Sequence, residues 1–191
     1  MKSLIVAAAL TAALAGLSAC SQETDTKPLP VAMTDEAVGH YCQMYVMDHD
    51  GPKAQIHLAH TDHPLWFAQV SDAVAYLHDP ERDAEIRAVY VSDMGAAPSW
   101  GNPGVDNWID ADAASYVIES QRKGGMEVPE AIPFGTREEA EAFIADKGGR
   151  LVSLADIPDS YVRAPAMPGA AAGEMGGAQS GRAIPAAHAR M

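Results

Sequence analysis

The chain has 191 residues, with 13 Lys and Arg against 26 Asp and Glu, for a formal net charge of −13. So acidic a chain lacks the basic footprint that nucleic-acid binding requires. With its ends set aside, the length suits one compact domain or two small ones.

Lys2 precedes an apolar run from Leu4 to about Leu17 that is too short and too Ala-rich for a stable transmembrane span, so residues 1–19 read as a secretory signal peptide. The run closes in Leu17-Ser18-Ala19-Cys20, which resembles the bacterial lipobox. That resemblance implies cleavage before Cys20 and acylation of Cys20, a durable membrane anchor since several chains hold where one is marginal. Ser21, rather than Asp, follows it, which by resemblance to sorted lipoproteins favours the outer membrane. Residues 20–37 read as the lipidated cysteine and a polar tether.

The first element beyond the tether is Gly39-His-Tyr-Cys-Gln-Met-Tyr-Val-Met47, whose alternation reads as a strand. With Cys20 acylated, Cys42 is the one thiol left and cannot form an internal disulfide. On a strand, Cys42 and Met44 share a face, whereas Met47 faces away. A thiolate beside a thioether suits a soft ion, Cu(I) before Zn(II). The same pair equally suits half of a strand's core face, since free Cys and Met are common core residues.

A second strand follows at 54–60, AQIHLAH. His57 and His60 are three apart there, so on a strand they point to opposite sides. The next stretch repeats. FAQVSDAVAYLHD (67–79) matches FGTREEAEAFIAD (134–146), and RAVYVSDM (87–94) matches RLVSLADI (150–157). Each pair reads as a helix leading into a strand. In the second copy Thr136 and Glu139 form a capping box and Gly148-Gly149 stops the helix. ASYVIES (114–120) is strand-like ahead of the second helix. The fold class is therefore α+β, with two ββαβ units at 38–95 and 105–163 joined by a Gly- and Pro-rich linker, 96–104. Residues 164–191 are rich in Ala, Gly and Pro and read as a disordered tail, in which Met167, Met175, His188 and Met191 offer weak metal donors at most. There is no nucleophile elbow, phosphate loop, dinucleotide fingerprint or Cys-x-x-Cys, so the chain is not expected to be an enzyme.

Taken in order, the lipobox, Cys42-x-Met44, His63-Pro-Leu-Trp-Phe67, Ser92-Asp-Met-Gly95, the Gly125-Met126 loop and the 134–149 helix region resemble the NosL family. The resemblance covers residues 1–163. It implies a periplasmic, lipid-anchored Cu(I) metallochaperone serving nitrous oxide reductase in denitrification. Its copper would go to the copper–sulfur cluster of the apo-reductase, and it would dock on a membrane transporter complex on the way. The family fold of two ββαβ units resembles organomercurial lyase, although thiol protonolysis would need a second free thiol. The alternative is a docking lipoprotein of the same machinery that binds no metal. By motif match the copper ligands are Cys42, Met44 and Met126. Met94, His57 and His60 stand as further candidates, because Glu127 occupies the position after the loop methionine where relatives usually have glycine.

Overall fold

A computed structural model describes residues 26–163, apart from Asp83. The expected signal peptide, Cys20 and the expected disordered tail lie outside the described residues.

Strand β1 (Ala54–Leu58) lies between β2 (Leu65–Phe67) and β3 (Ile86–Ser92), with helix α1 (Val70–Leu77) between β2 and β3 in the chain. Strand β4 (Trp108–Asp110) adds to the outer edge of β3, so the sheet runs β2-β1-β3-β4, all antiparallel. A second sheet runs β6-β5-β7, from β5 (Ser115–Ile118), β6 (Ile132–Phe134) and β7 (Arg150–Val152), with helix α2 (Arg137–Lys147) between β6 and β7. A short helix, α3 (Asp159–Val162), closes the described chain against α1.

The two sheets share a core. Ala54, Ile56, Phe67 and Val91 of the first sheet pack with Tyr116 and Ile118 of the second, around Val70, Ala73 and Val74 of α1. Fully burying a side chain such as Ile56 or Phe67 stabilises by about 1.5–3 kcal/mol. The period of two in β5 sends Val117 to the other face, where it meets Ile132, Phe134 and Ala140 of α2 in a second cluster. Helix α2 is capped as its sequence predicts. The backbone N–H of Glu139 donates to Thr136 Oγ1 (3.3 Å), and that hydroxyl donates to Glu139 Oε2 (2.8 Å). Gly148 and Gly149, both with positive φ, end it.

Three expectations are corrected. The expected strand at 39–47 is a tight loop followed by a 3₁₀ turn, Val46–Asp48. The first sheet instead takes 54–58 and the three-residue run 65–67 as its first two strands. Strand β4 falls in the stretch read as the second unit, yet it pairs with β3. The described part of the supposed tether is fastened to the sheet at several points rather than standing free of it. Gln55 exchanges hydrogen bonds with Val31 N and O (2.9 and 3.0 Å), Tyr90 donates to Pro28 O (2.6 Å), and Met33 and Ala37 are buried. This segment covers the outer face of β1 and β3, which explains why Gln55 and His57 are buried there beside Ile56 on the core face.

Candidate metal centre

The loop around Cys42 owes its shape to one residue. Gln43 adopts φ +56°, a left-handed conformation that reverses the chain. Gly39 N–H then donates to Met44 O, and Gln43 N–H donates to Gly39 O, both at 2.9 Å. The Gln43 amide braces the turn by donating to His40 O (2.7 Å). An alternating pattern cannot survive such a reversal, so Cys42 and Met44 are neighbours across a turn rather than on a strand face. Cys42 Sγ folds back over Gly39, so closely that a Cβ on that residue would lie 2.4 Å from the sulfur. His40 N–H donates to Trp66 O (2.7 Å) and fixes the loop to β2, while the Tyr41 ring stands edge-on to Phe67.

The Met126 loop is held from the opposite side. Met126 N–H donates to the side chain of buried Gln69 (3.1 Å), the residue before α1. Four residues on, Glu130 Oε1 accepts from Ser71 N–H (2.8 Å), Ser71 Oγ (2.9 Å) and Ala131 N–H (2.9 Å). Gln69 makes no capping bond, so the carboxylate of Glu130, from elsewhere in the chain, satisfies the first turn of α1. Gly125 lies flat on the backbone of Asp50, where a Cβ would come within 2.5 Å of the Asp50 carbonyl oxygen.

These anchors converge. Cys42 and Met126, both partly buried, pack against one small cluster of Met33, Ala37, Val46 and Ala68, roofed by Trp66 and Trp108. Beneath it lies Lys53, 1% exposed, whose ammonium donates to His49 O (2.5 Å), Asp50 O (3.2 Å) and Ala68 O (3.2 Å). Burial lowers its pKa to about 8, against the opposing charges of Glu130, Asp50 and Cys42. Lys53 therefore ties the 49–50 turn to the residue ahead of Gln69 and sets a positive charge near the thiol. Met44 stands on the open side at 46% exposure, in a groove with Val38, Tyr45, Asp48 and His49.

The other candidates lie elsewhere. Met94 packs in the α2 cluster, with its N–H on Pro133 O (3.0 Å). His57 is buried on β1 against Gln55 Oε1 (2.8 Å) and Tyr90, and burial lowers its pKa. His60 sits in the turn after β1, in a separate hollow with Arg87. Sequence reasoning did not select His49, whose buried Nε2 has no partner and which lines the groove beside Met44. Its signal was its position at the end of the Cys42 run. Among the described residues no three His, Cys, Asp or Glu side chains gather as a metal site. The donors that do gather are a thiol and thioethers, which suit a soft ion.

Residues 30–162 match the sequence family described as NosL. The chain belongs to the NosL family. It is 52% identical over 157 residues to the copper-binding lipoprotein NosL of Achromobacter cycloclastes, covering 82% of this chain and 81% of that one. It is 29% identical over 150 residues to the copper-binding lipoprotein NosL of Stutzerimonas stutzeri, covering 78% and 77%. The crystal structure of the copper chaperone NosL from Shewanella denitrificans superposes with a TM-score of 0.63 at 29% identity, covering 69% of this chain and 96% of that one.

Against this NosL background Glu127 gains a physical reading. Its φ is +60°, the left-handed region in which glycine costs least. A glycine would adopt that backbone without strain, and this chain holds the turn with an L-residue. Glu127→Gly should raise stability by about 1 kcal/mol, since left-handed geometry costs an L-residue roughly 1–2 kcal/mol. Thermal unfolding should show a midpoint higher by a few degrees. An unchanged or lower midpoint would mean that the Glu127 side chain contributes more than its backbone costs.

Proposed function

We propose that this chain is a Cu(I) metallochaperone with Cys42, Met44 and Met126 as copper ligands. One observation carries the reading: two loops distant in sequence, each fastened by its own hydrogen bonds, set Cys42 and Met126 against the same small cluster. Met44, two residues from Cys42, stands exposed in the groove beside the loop. The names of the Achromobacter and Stutzerimonas relatives as copper-binding, and of the Shewanella relative as a copper chaperone, support it. Few soft ligands, one of them exposed, allow copper to pass ligand by ligand to an acceptor. His49 Nε2 is buried without a hydrogen-bond partner and His49 lines the groove with Met44, so it is the nitrogen donor this geometry favours over His57 and His60.

The acceptor, by family resemblance, is nitrous oxide reductase during assembly of its copper–sulfur cluster, approached through a membrane transporter complex. Acylated Cys20 would hold the chain on the periplasmic side of a membrane, the outer one by the Ser21 argument. No helix among the described residues is long and apolar enough to cross a membrane. The chain carries copper as cargo and is not an enzyme. Both sheets place their second strand beside the first and their third on its other side, which supports reading them as repeated ββαβ units of organomercurial-lyase-like form.

Anaerobic competition titration of reduced residues 21–191 against a strong Cu(I) chelator should show one tight equivalent. Met126→Ala should weaken it by more than about tenfold, as loss of a primary ligand outweighs loss of an outer-shell partner. Met94→Ala should leave it unchanged. Equal effects of the two substitutions would sink the ligand assignment, and no competition at all would favour a docking lipoprotein that binds no metal.

A further inference from the structure

One short run of chain fastens both ligand loops. Trp66 O, on β2, accepts from His40 N–H (2.7 Å) and seats the Cys42 loop. Three residues on, Gln69 Oε1 accepts from Met126 N–H (3.1 Å) and seats the Met126 loop. Between them, Ala68 packs in the cluster that Cys42 and Met126 share, and its carbonyl accepts from the Lys53 ammonium (3.2 Å). Two ligands distant in sequence therefore hang from attachment points that three residues separate, about 11 Å at full extension.

Gln69 is the less ordinary of the two attachments, because it holds by a side chain. It is 2% exposed, so water scarcely competes for its oxygen. It precedes α1 yet makes no capping bond there, and its side chain turns to the loop instead. The amide is also oriented. The Gln69 side chain hydrogen-bonds Asp72, and an ionised carboxylate only accepts, so the NH2 group faces Asp72 and the oxygen is left for Met126. The loop rests directly on that oxygen: a Cβ on Gly124 would stand 2.7 Å from Gln69 Oε1.

We propose that Gln69 is a positioning residue of the copper site, whose amide oxygen fixes Met126 where its thioether can share a Cu(I) ion with Cys42. The proposal rests on the Cu(I) reading above and deepens it. Gln69 does not touch the metal. It acts through Met126, and the 66–69 run sets the spacing of the two ligands before copper arrives. A ligand already in place binds more tightly than one that must be ordered on binding.

The test is anaerobic Cu(I) competition against a strong chelator on reduced residues 21–191 in four forms: unsubstituted, Gln69→Leu, Met126→Ala and both together. Leucine keeps much of the volume and offers no acceptor. Gln69→Leu should weaken binding by about tenfold or more, the size typical for losing a supporting partner at a metal site. In the Met126→Ala background the same substitution should change affinity by less than about twofold, because the residue it positions is gone. Gly124→Ala acts from the loop side. Its Cβ displaces Gln69 Oε1, and affinity should fall as in Gln69→Leu. In the copper-free chain the Met126 amide should exchange slowly with deuterium, and faster after either substitution. Unchanged affinity in Gln69→Leu and Gly124→Ala overturns the proposal, as does fast Met126 exchange in the unsubstituted chain. A Gln69→Leu loss of equal size with and without Met126 also overturns it, since Gln69 would then support the fold at large. An unsubstituted chain that takes up no Cu(I) sinks the parent reading and this one with it. Weak binding in Met126→Ala with full binding in Gln69→Leu sinks this one alone.

Discussion

Cys42→Ala should abolish tight Cu(I) binding while leaving the fold intact. Cys42 is the only cysteine besides Cys20, and with Cys20 acylated, as proposed, it is the only anionic sulfur the chain can offer. The remaining donors are neutral thioethers and imidazoles, which bind Cu(I) weakly without a thiolate to hold it. The loss should exceed the roughly 100-fold that removal of an outer-shell partner costs at a metal site. Stability should barely move. The thiol is partly exposed, its polar contact is the 4.0 Å approach to Met44 O, and the loop is held by backbone bonds of Gly39, His40 and Gln43 that alanine leaves alone. Cys42→Ser, which keeps the shape but offers a hard oxygen, should behave as Cys42→Ala does. Chelator competition and thermal unfolding on the same samples separate the two effects. Wild-type affinity in Cys42→Ala would refute the site, and a collapsed midpoint would show that the thiol is a packing element.

Much of the framework was legible because its signals are local. The Thr136–Glu139 capping box and the Gly148-Gly149 stop need no distant partner, and α2 begins and ends where they place it. Strands β1, β3 and β5 were legible from the strand-like stretches AQIHLAH and ASYVIES and from the repeat of RAVYVSDM. The Cys42 loop was not, because the residue that turns the chain is a glutamine: nothing in Gln43 marks it as left-handed until its side chain and the β2 edge are in place. Strands β2 and β6 have three residues each, too few to establish a period. Met94 and Met126 looked alike as methionines beside glycine. What separates them is long-range. Asp93 Oδ1 accepts from Gly95 N–H and Gly135 N–H, both at 2.9 Å, and holds the Met94 turn against β6. Gln69 and Glu130 bring the Met126 loop to α1. The cover over Gln55 was hidden likewise, since a Pro-containing polar stretch reads as tether until the sheet it covers is known.

The same Glu130 predicts an unusual dependence of stability on pH. Its carboxyl is 1% exposed, and although Oε1 accepts three hydrogen bonds, Oε2 has none. Burial pushes its pKa from 4.5 up to about 7, against the lowering effect of the Ser71 bonds. Below pH 4.5 the carboxyl is protonated in the folded and the unfolded chain, and folding bears no penalty. Between 4.5 and 7 the unfolded chain releases the proton while the folded chain keeps it, so stability falls as pH rises. Above 7 the whole penalty is present, on the order of 3 kcal/mol for a shift of this size. Lys53 acts in the opposite sense at higher pH. Its folded pKa of about 8 lies below 10.5, so the unfolded chain binds the extra proton between these values and stability recovers as pH rises through them. The pair therefore places its least stable window near pH 7–8. Glu130→Gln keeps an oxygen for Ser71, cannot ionise, and puts an amide where the orphaned Oε2 stood, beside Gln69 above Gly124. Denaturant unfolding should find variant and wild type close at pH 4 and the variant more stable by about 3 kcal/mol at pH 7.5. Parallel pH profiles would mean that Glu130 ionises freely in the fold. As carboxylate or as acid, Glu130 ties the segment after the Met126 loop to the first turn of α1, and an apolar residue there would leave Ser71 N–H without a partner while Gln69 and Ser71 Oγ still held the loop.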